Sequence, residues 1–332
     1  MQASRLLFSL ELTASNYALL LLANLPSSVA YGLGRMVGDL QYQVESSKRK
    51  MTLECLELAF GEQTSPEGRI RLVHDCFRLG ACRELDRLRL TGRQGLAELV
   101  KIQGLEHIEY ALAQGKGAVI GSAHFGSFEA EYRLLGALGF PVTVIAARLP
   151  HQGLPHRKRH WPDRLIGTLQ SKTRRRHRRL SNIFVDENSR SMVPVDAARK
   201  LERNELIFIM TDVVGFPSQH PHTAPIPFLN GLAYLPTGAV RIAKSAGAPL
   251  LFCLIHRSRD WRHQMMEISA PIPTEGDIDK TTRHCVRLIE DAIRREPANW
   301  RSWDYKTMAK IGLLPEEEMK RLVRAAGSRY WD

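Results

Sequence analysis

The sequence predicts an α/β fold, a mainly parallel central sheet flanked by helices, with an N-terminal membrane-associated helical segment. Three observations predict it. From Gly115 onward, short apolar runs alternate with helical stretches, the pattern of parallel strands joined by crossover helices. The residues before that are helical in period. The first 40 residues stand apart, with no charged residue between Glu11 and Arg35 and an apolar centre at 17–25 that stops at Pro26.

The N-terminal segment supports more than one reading. Arg5 and the small residues Ser28, Val29 and Ala30 resemble the ends of a signal peptide, but Glu11 interrupts that pattern. Pro26 and the polar residues after it argue against one straight span, so a helix lying in or dipping into a membrane interface is expected over residues 12–34. Packing of this helix on the protein's own core is the alternative.

Two helices are predicted next, over 46–60 and 66–90. In the second, Ile70, Val73, Phe77, Ala81, Leu85 and Leu88 recur at three- and four-residue steps and share one face. The alternating part follows: strands at 118–123, 141–146, 206–210 and 249–255, with helices at 128–138, 196–202 and 237–246. An edge strand at 265–272, a helix at 280–295 and a polar surface helix at 315–324 complete the expected elements. The expected organisation is a segment 1–40, one α/β domain over 41–310 and a polar tail over 311–332.

Length and composition exclude whole classes. A chain of 332 residues with 44% hydrophobic side chains fills a sizeable core, which excludes intrinsic disorder. No apolar run is long and pure enough for a polytopic membrane protein. Five cysteines without a CxxC pair make a disulfide framework or structural zinc site a poor fit. The histidine groups His151, His156, His160 and His220, His222 lack spaced carboxylates or cysteines, so no metal and no cofactor is expected.

The charge is concentrated. Between Arg148 and Arg179 the chain carries eleven basic residues against Asp163 alone, nearly all of its formal net charge of +12. Such a block suits an anionic partner or is simply a solvated loop. Trp161 is its sole aromatic residue, so the stacking platform of a single-strand nucleic-acid binder is missing.

The most informative stretch is Ser122-Ala-His-Phe-Gly-Ser-Phe-Glu129. It follows an apolar strand and opens a helix, placing His124 at the carboxyl end of a strand, where open α/β sheets bind ligands. Ser127 suits the helix cap, and Glu129 falls in the first turn, favoured as an anion there by the helix dipole. Gly126 permits a non-helical turn in which His124 and Glu129 meet, and a carboxylate on one imidazole nitrogen raises the basicity of the other.

His124 to Glu129 resembles the HX4E motif, commonly HFGNWE, of the lipid A late acyltransferases, the lauroyl and myristoyl transferases of Gram-negative lipopolysaccharide assembly. These belong to a wider superfamily of HX4D/E lysophospholipid-acyltransferase-like enzymes. The likeness extends over residues 45 to 305. Lys48 to Gly61 resembles the upstream helix and its AFG turn, and Val144 to Pro150 a strand followed by an Arg-Pro element. Leu206 to Asp212 is similar to a strand ending in the Asp of a DQ-like motif, and Pro225 to Gly231 to an FFG turn. An EGTR-like turn of the glycerolipid acyltransferases is not seen between Leu206 and Pro227.

The resemblance implies an acyltransferase with His124 as general base and Glu129 as its orienting partner. Arg148, Arg190 and Asp212 would shape the site for the acyl donor or the acceptor's phosphates. It implies a donor thioester on acyl carrier protein or coenzyme A, a lipid or glycolipid acceptor, and a location at the cytoplasmic face of the bacterial inner membrane, peripheral or N-terminally anchored. The basic block would steer the acidic carrier protein or the anionic membrane surface. Departures from the family pattern bear on the acceptor: Phe128 replaces the usual Trp, Val213 follows Asp212, and Asn299-Trp-Arg-Ser-Trp-Asp304 lacks an Arg-Arg doublet. A phospholipid or secondary-metabolite acceptor stays open, and the rival class is a non-catalytic membrane- or nucleic-acid-binding protein working through the basic block.

Overall fold

The structure, a computed structural model, describes residues 25–89, 99–147, 179–185, 192–212, 223–258, 261, 263–315, 317 and 321. Three helices come first: α1 (Ser27–Val44), α2 (Ser46–Phe60) and α3 (Pro66–Arg89). The alternating part follows as β1 (Val100–Gln103), α4 (Leu105–Ala113), β2 (Ala118–Ser122), α5 (Glu129–Ala137), β3 (Val142–Ala147), β4 (Leu180–Val185), α6 (Val193–Leu201) and β5 (Leu206–Met210). A hairpin of β6 (Thr223–Phe228) and β7 (Gly231–Pro236) precedes α7 (Gly238–Ala246), β8 (Leu250–Arg257), β9 (Gln264–Ile268), α8 (Ile278–Arg295) and α9 (Tyr305–Lys310).

Seven strands form one sheet in the order β1-β9-β8-β2-β5-β3-β4. The run from β8 to β4 is parallel throughout, and β9 pairs antiparallel with β8. The expected edge strand therefore exists but is not an edge, because β1 pairs parallel with it on its outer side. β1 has only four residues with alternating exposure, too short and too polar to stand out as an apolar run.

β2 and its neighbours are buried on both faces, as parallel strands covered by helices must be. Ile120, Phe208 and Leu251 pack on one side with Ile108 of α4 and Leu134 of α5. Val119, Ile207 and Phe252 pack on the other with Leu56 of α2, Phe77 of α3, Ala243 of α7 and Ile289 of α8. The apolar stripe expected on α3 is partly used: Val73, Phe77 and Ala81 are buried, while Ile70 is half exposed at the helix start.

α1 lies against α3 at very close range. A Cβ on Gly38 would stand 2.5 Å from the Arg78 Cα, so only glycine permits this approach. Beneath the contact sits a buried ion pair, Asp86 with Arg257, whose carboxylate also accepts from the Tyr31 and Ser127 hydroxyls. Ser127 therefore does not cap α5 as expected; its hydroxyl is turned to Asp86, and the helix has no side-chain cap. Through this pair α1, α3 and β8 are tied to the turn that carries His124.

No helix among the described residues is long and apolar enough to cross a membrane. The part of the expected interface segment before residue 25, most of the basic block and most of the expected helix over 315–324 lie outside the described residues.

Removing one partner of a buried ion pair leaves an uncompensated charge, which costs about 3–5 kcal/mol. Arg257→Met is expected to lower unfolding stability by about that amount, and Asp86→Asn added to it to restore much of the loss. Equilibrium denaturation of the two variants checks this.

Candidate active site

The site forms where two adjacent parallel strands end together. Ser122 of β2 and Met210 of β5 are register partners, so two residues further on His124 and Asp212 emerge side by side. The Asp212 carboxylate is fully buried and takes three hydrogen bonds. Oδ1 lies 2.9 Å from His124 Nδ1, while Oδ2 accepts from the His124 backbone N–H at 3.0 Å and from Trp300 Nε1 at 2.8 Å.

Three donors on one carboxylate hold it in the charged form. Burial alone would raise the Asp212 pKa, but the His124 charge and the hydrogen bonds from His124 and Trp300 outweigh it and leave it lowered. Burial likewise works against the His124 imidazolium, yet the Asp212 charge and hydrogen bond win, and its pKa is raised. An ionised carboxylate can only accept, so the proton sits on Nδ1 and the lone pair is on Nε2. Nε2 has no hydrogen-bond partner among the described residues, and about a third of the His124 side chain is exposed. This is the arrangement of a poised general base.

The turn after His124 is pinned from two sides. Gly126 has φ +52°, and a Cβ there would lie 2.0 Å from the Ile255 carbonyl oxygen, so no other residue fits. Its N–H donates to the Asn299 carbonyl at 2.8 Å, and the Arg301 N–H donates to the His124 carbonyl at 2.8 Å. Residues 299–301 thus zip onto residues 124–126, carrying Trp300 to Asp212. Trp300 is itself fixed edge-on by Phe228 and Trp303, at 5.8 and 4.7 Å between ring centroids.

Glu129 opens α5 as expected, but it is not the partner of His124. Its carboxylate meets Arg87 at 3.3 Å and Arg133 at 3.2 Å, and it makes no hydrogen bond to the imidazole among the described residues. The residues from Ser127 to Glu129 turn into the helix and carry its side chain toward α3, whereas Asp212 already faces Nδ1. Phe128 is an edge-on neighbour of the His124 ring, 4.9 Å between centroids. Arg148 and Arg190 lie outside the described residues.

Beneath the site Glu131 is fully buried and takes a hydrogen bond of 2.6 Å from the Ser122 hydroxyl. Burial pushes its carboxyl well above the usual range, against hydrogen bonds to Ser122 and the Ile255 backbone that favour the charge. Among the described residues no group of three or more His, Cys, Asp or Glu side chains could hold a metal ion.

The family model of the bacterial lipid A biosynthesis acyltransferases matches residues 5–303, which covers most of the chain. The chain belongs to this family. It is an acyltransferase of the lipid A late acyltransferase type. No curated protein matches it. The match spans His124, Asp212 and Trp300, so the hydrogen-bonded cluster at the strand ends lies inside the acyltransferase domain.

The sign of the pH dependence follows from the two shifts. The raised His124 pKa contributes stability below the unfolded histidine value of about 6.5 and loses it as pH rises through the folded value. The lowered Asp212 pKa contributes above the unfolded value of about 3.9 and loses it as pH falls through the folded value. The stability of the acyltransferase over its Asp212→Asn variant is therefore expected to be largest between about pH 4 and 6.5. In the variant, NMR titration should show His124 releasing its proton at lower pH than in the wild type.

Proposed function

We propose that the protein transfers a fatty acyl chain directly from a thioester, on acyl carrier protein or coenzyme A, to a hydroxyl or amine of a lipid or glycolipid acceptor. The His124–Asp212 pair at the carboxyl ends of β2 and β5 carries this reading. His124 Nε2 takes the acceptor's proton, and Asp212 holds the ring and stabilises the imidazolium as it forms. The deprotonated oxygen or nitrogen attacks the thioester carbonyl, and the tetrahedral intermediate collapses with release of the thiol, to which His124 returns the proton.

No cofactor takes part in these steps. Glu129 acts as a positioning residue, fixing Arg87 and Arg133 beside the turn rather than the imidazole. Arg148 and Arg190 remain in the proposal as contacts for donor or acceptor phosphates.

Acceptor-dependent thiol release is expected from purified protein given acyl carrier protein or coenzyme A thioesters and a membrane-lipid extract. His124→Ala should lose at least the general-base contribution of about 10² to 10⁴-fold. Release equal in wild type and variant would sink the role of His124. Loss of function on neutralising Arg174 to Arg179, with His124→Ala harmless, would instead favour a binding protein working through the basic block.

The enzyme is proposed to work at the cytoplasmic face of the inner membrane, held by the outer side of α1. Val29, Leu33, Met36, Val37, Leu40 and Val44 recur there at helical spacing and are all exposed, Met36 at 67% and Leu40 at 63%. A continuous apolar stripe on a surface helix suits the acyl-chain boundary of a bilayer. Met36→Asp with Leu40→Asp should weaken flotation with anionic vesicles and leave the melting temperature unchanged. Unchanged flotation would remove α1 from the membrane contact.

A further inference from the structure

Beside the His124 turn lies a second feature that general-base chemistry does not require. A cavity of about 320 Å³ opens between α2, α3 and residues 126–129. Its walls carry four cations, Lys48, Arg83, Arg87 and Arg301, and two carboxylates, Glu84 and Glu129.

The carboxylates do not balance the cations evenly. Both are bound to Arg87, Glu84 at 3.0 Å and Glu129 at 3.3 Å, and Glu129 is shared with Arg133. Lys48 pairs with Glu45 outside the cavity at 3.2 Å. Arg83 reaches only the Asn299 carbonyl, at 3.4 Å, and has no ion pair among the described residues. Arg301 has neither ion pair nor side-chain hydrogen bond there; its guanidinium stands 6.0 Å from the centre of the Phe128 ring.

Two arginines that form no ion pair among the described residues thus line the same cavity. Arg83 reaches the carbonyl of Asn299, two residues before Arg301, so both guanidinium groups belong to the same end of the His124 turn, and burial and then the charge of Arg301 push the Arg83 pKa down to about 10. The same Arg301 charge also opposes protonation of His124. Holding like charges together in a half-enclosed pocket costs free energy that a bound anion recovers, and planar guanidinium forks match the oxygens of phosphate. The first turn of α5, lining the cavity at its positive end, adds to the same preference.

We propose that this cavity is a phosphate subsite, in which Arg83 and Arg301 grip a phosphate ester of a substrate and so place the reacting group beside His124. The proposal rests on the reading of His124 as the catalytic base. Phe128 makes the connection, since it lines the cavity and touches the His124 ring. The phosphate belongs either to the acceptor or to the pantetheine arm of the donor, and the chemistry of recognition is the same.

The test starts with binding, which needs no turnover. Full-length protein is titrated with inorganic phosphate at constant ionic strength, following heat and the His124 ring resonances. Saturable binding is expected, with a rise in the His124 pKa as the anion offsets Arg301. Arg301→Gln, at an exposed position, should weaken the affinity at least tenfold without changing the melting temperature, and Arg83→Lys supplies a second variant on the buried side. Equal affinity in wild type and Arg301→Gln, or no binding to either, overturns the subsite.

Turnover then assigns the source. With Arg301→Gln, a raised KM for the acceptor that persists with an acyl N-acetylcysteamine thioester, which has no phosphate, places the acceptor's phosphate in the cavity. A penalty seen with coenzyme A thioesters and absent with that phosphate-free donor places the donor's there. No penalty with any substrate overturns the substrate role. Phosphate binding lost in Arg301→Gln while His124→Ala retains full activity would sustain the cavity and count only against His124 as base.

Discussion

One buried carboxylate organises the candidate active site. Asp212 reaches the imidazole of His124, its backbone N–H and the indole of Trp300, so that three separate stretches of chain, its own included, meet at one carboxylate. Leaving a buried carboxylate unpaired is costly, so each donor is held in place by the others. The result is a histidine with fixed tautomer and an accessible Nε2 at the end of the central strands.

A second buried charge anchors the surroundings. Asp86 and Arg257 join α3 to β8, and the Ser127 hydroxyl on the same carboxylate ties in the turn after His124. Gly126 makes this turn geometrically possible, packed against the Ile255 carbonyl where a Cβ has no room. The turn that carries His124 is thus gripped by strand ends, by residues 299–301 and by the helical layer. Such over-determination fixes the His124 side chain within narrow limits, as a positioned catalytic group requires.

Much of the framework was legible because strong local patterns carry it. The apolar runs of β2, β3, β5 and β8 and the periodic helices α2, α3, α5, α7 and α8 were expected close to where they lie. The missed elements share a physical reason. β1 is four residues long, β4 carries the polar pair Ser181 and Asn182 near its start, directly after the basic block, and β6 carries Pro225 and Pro227, which read as turn residues yet face outward from a two-stranded ribbon. Ser127 looked like a helix cap because local chemistry favours one, but a buried ion pair competed for its hydroxyl and won.

The sequence by itself determined that a histidine would stand at a strand end, on a turn that glycine permits, ahead of a helix with an acidic first turn. These are consequences of local periodicity and backbone freedom. Tertiary structure alone decided which carboxylate meets that histidine. Glu129, five residues away, is directed to Arg87 and Arg133, while Asp212, 88 residues away, is brought alongside because β2 and β5 are neighbours in register. Strand order is set by packing over the whole sheet, with α5, β3, β4 and α6 lying between β2 and β5 along the chain. The same holds for Trp300, a tryptophan visible in the sequence whose role exists only once residues 299–301 close over the turn.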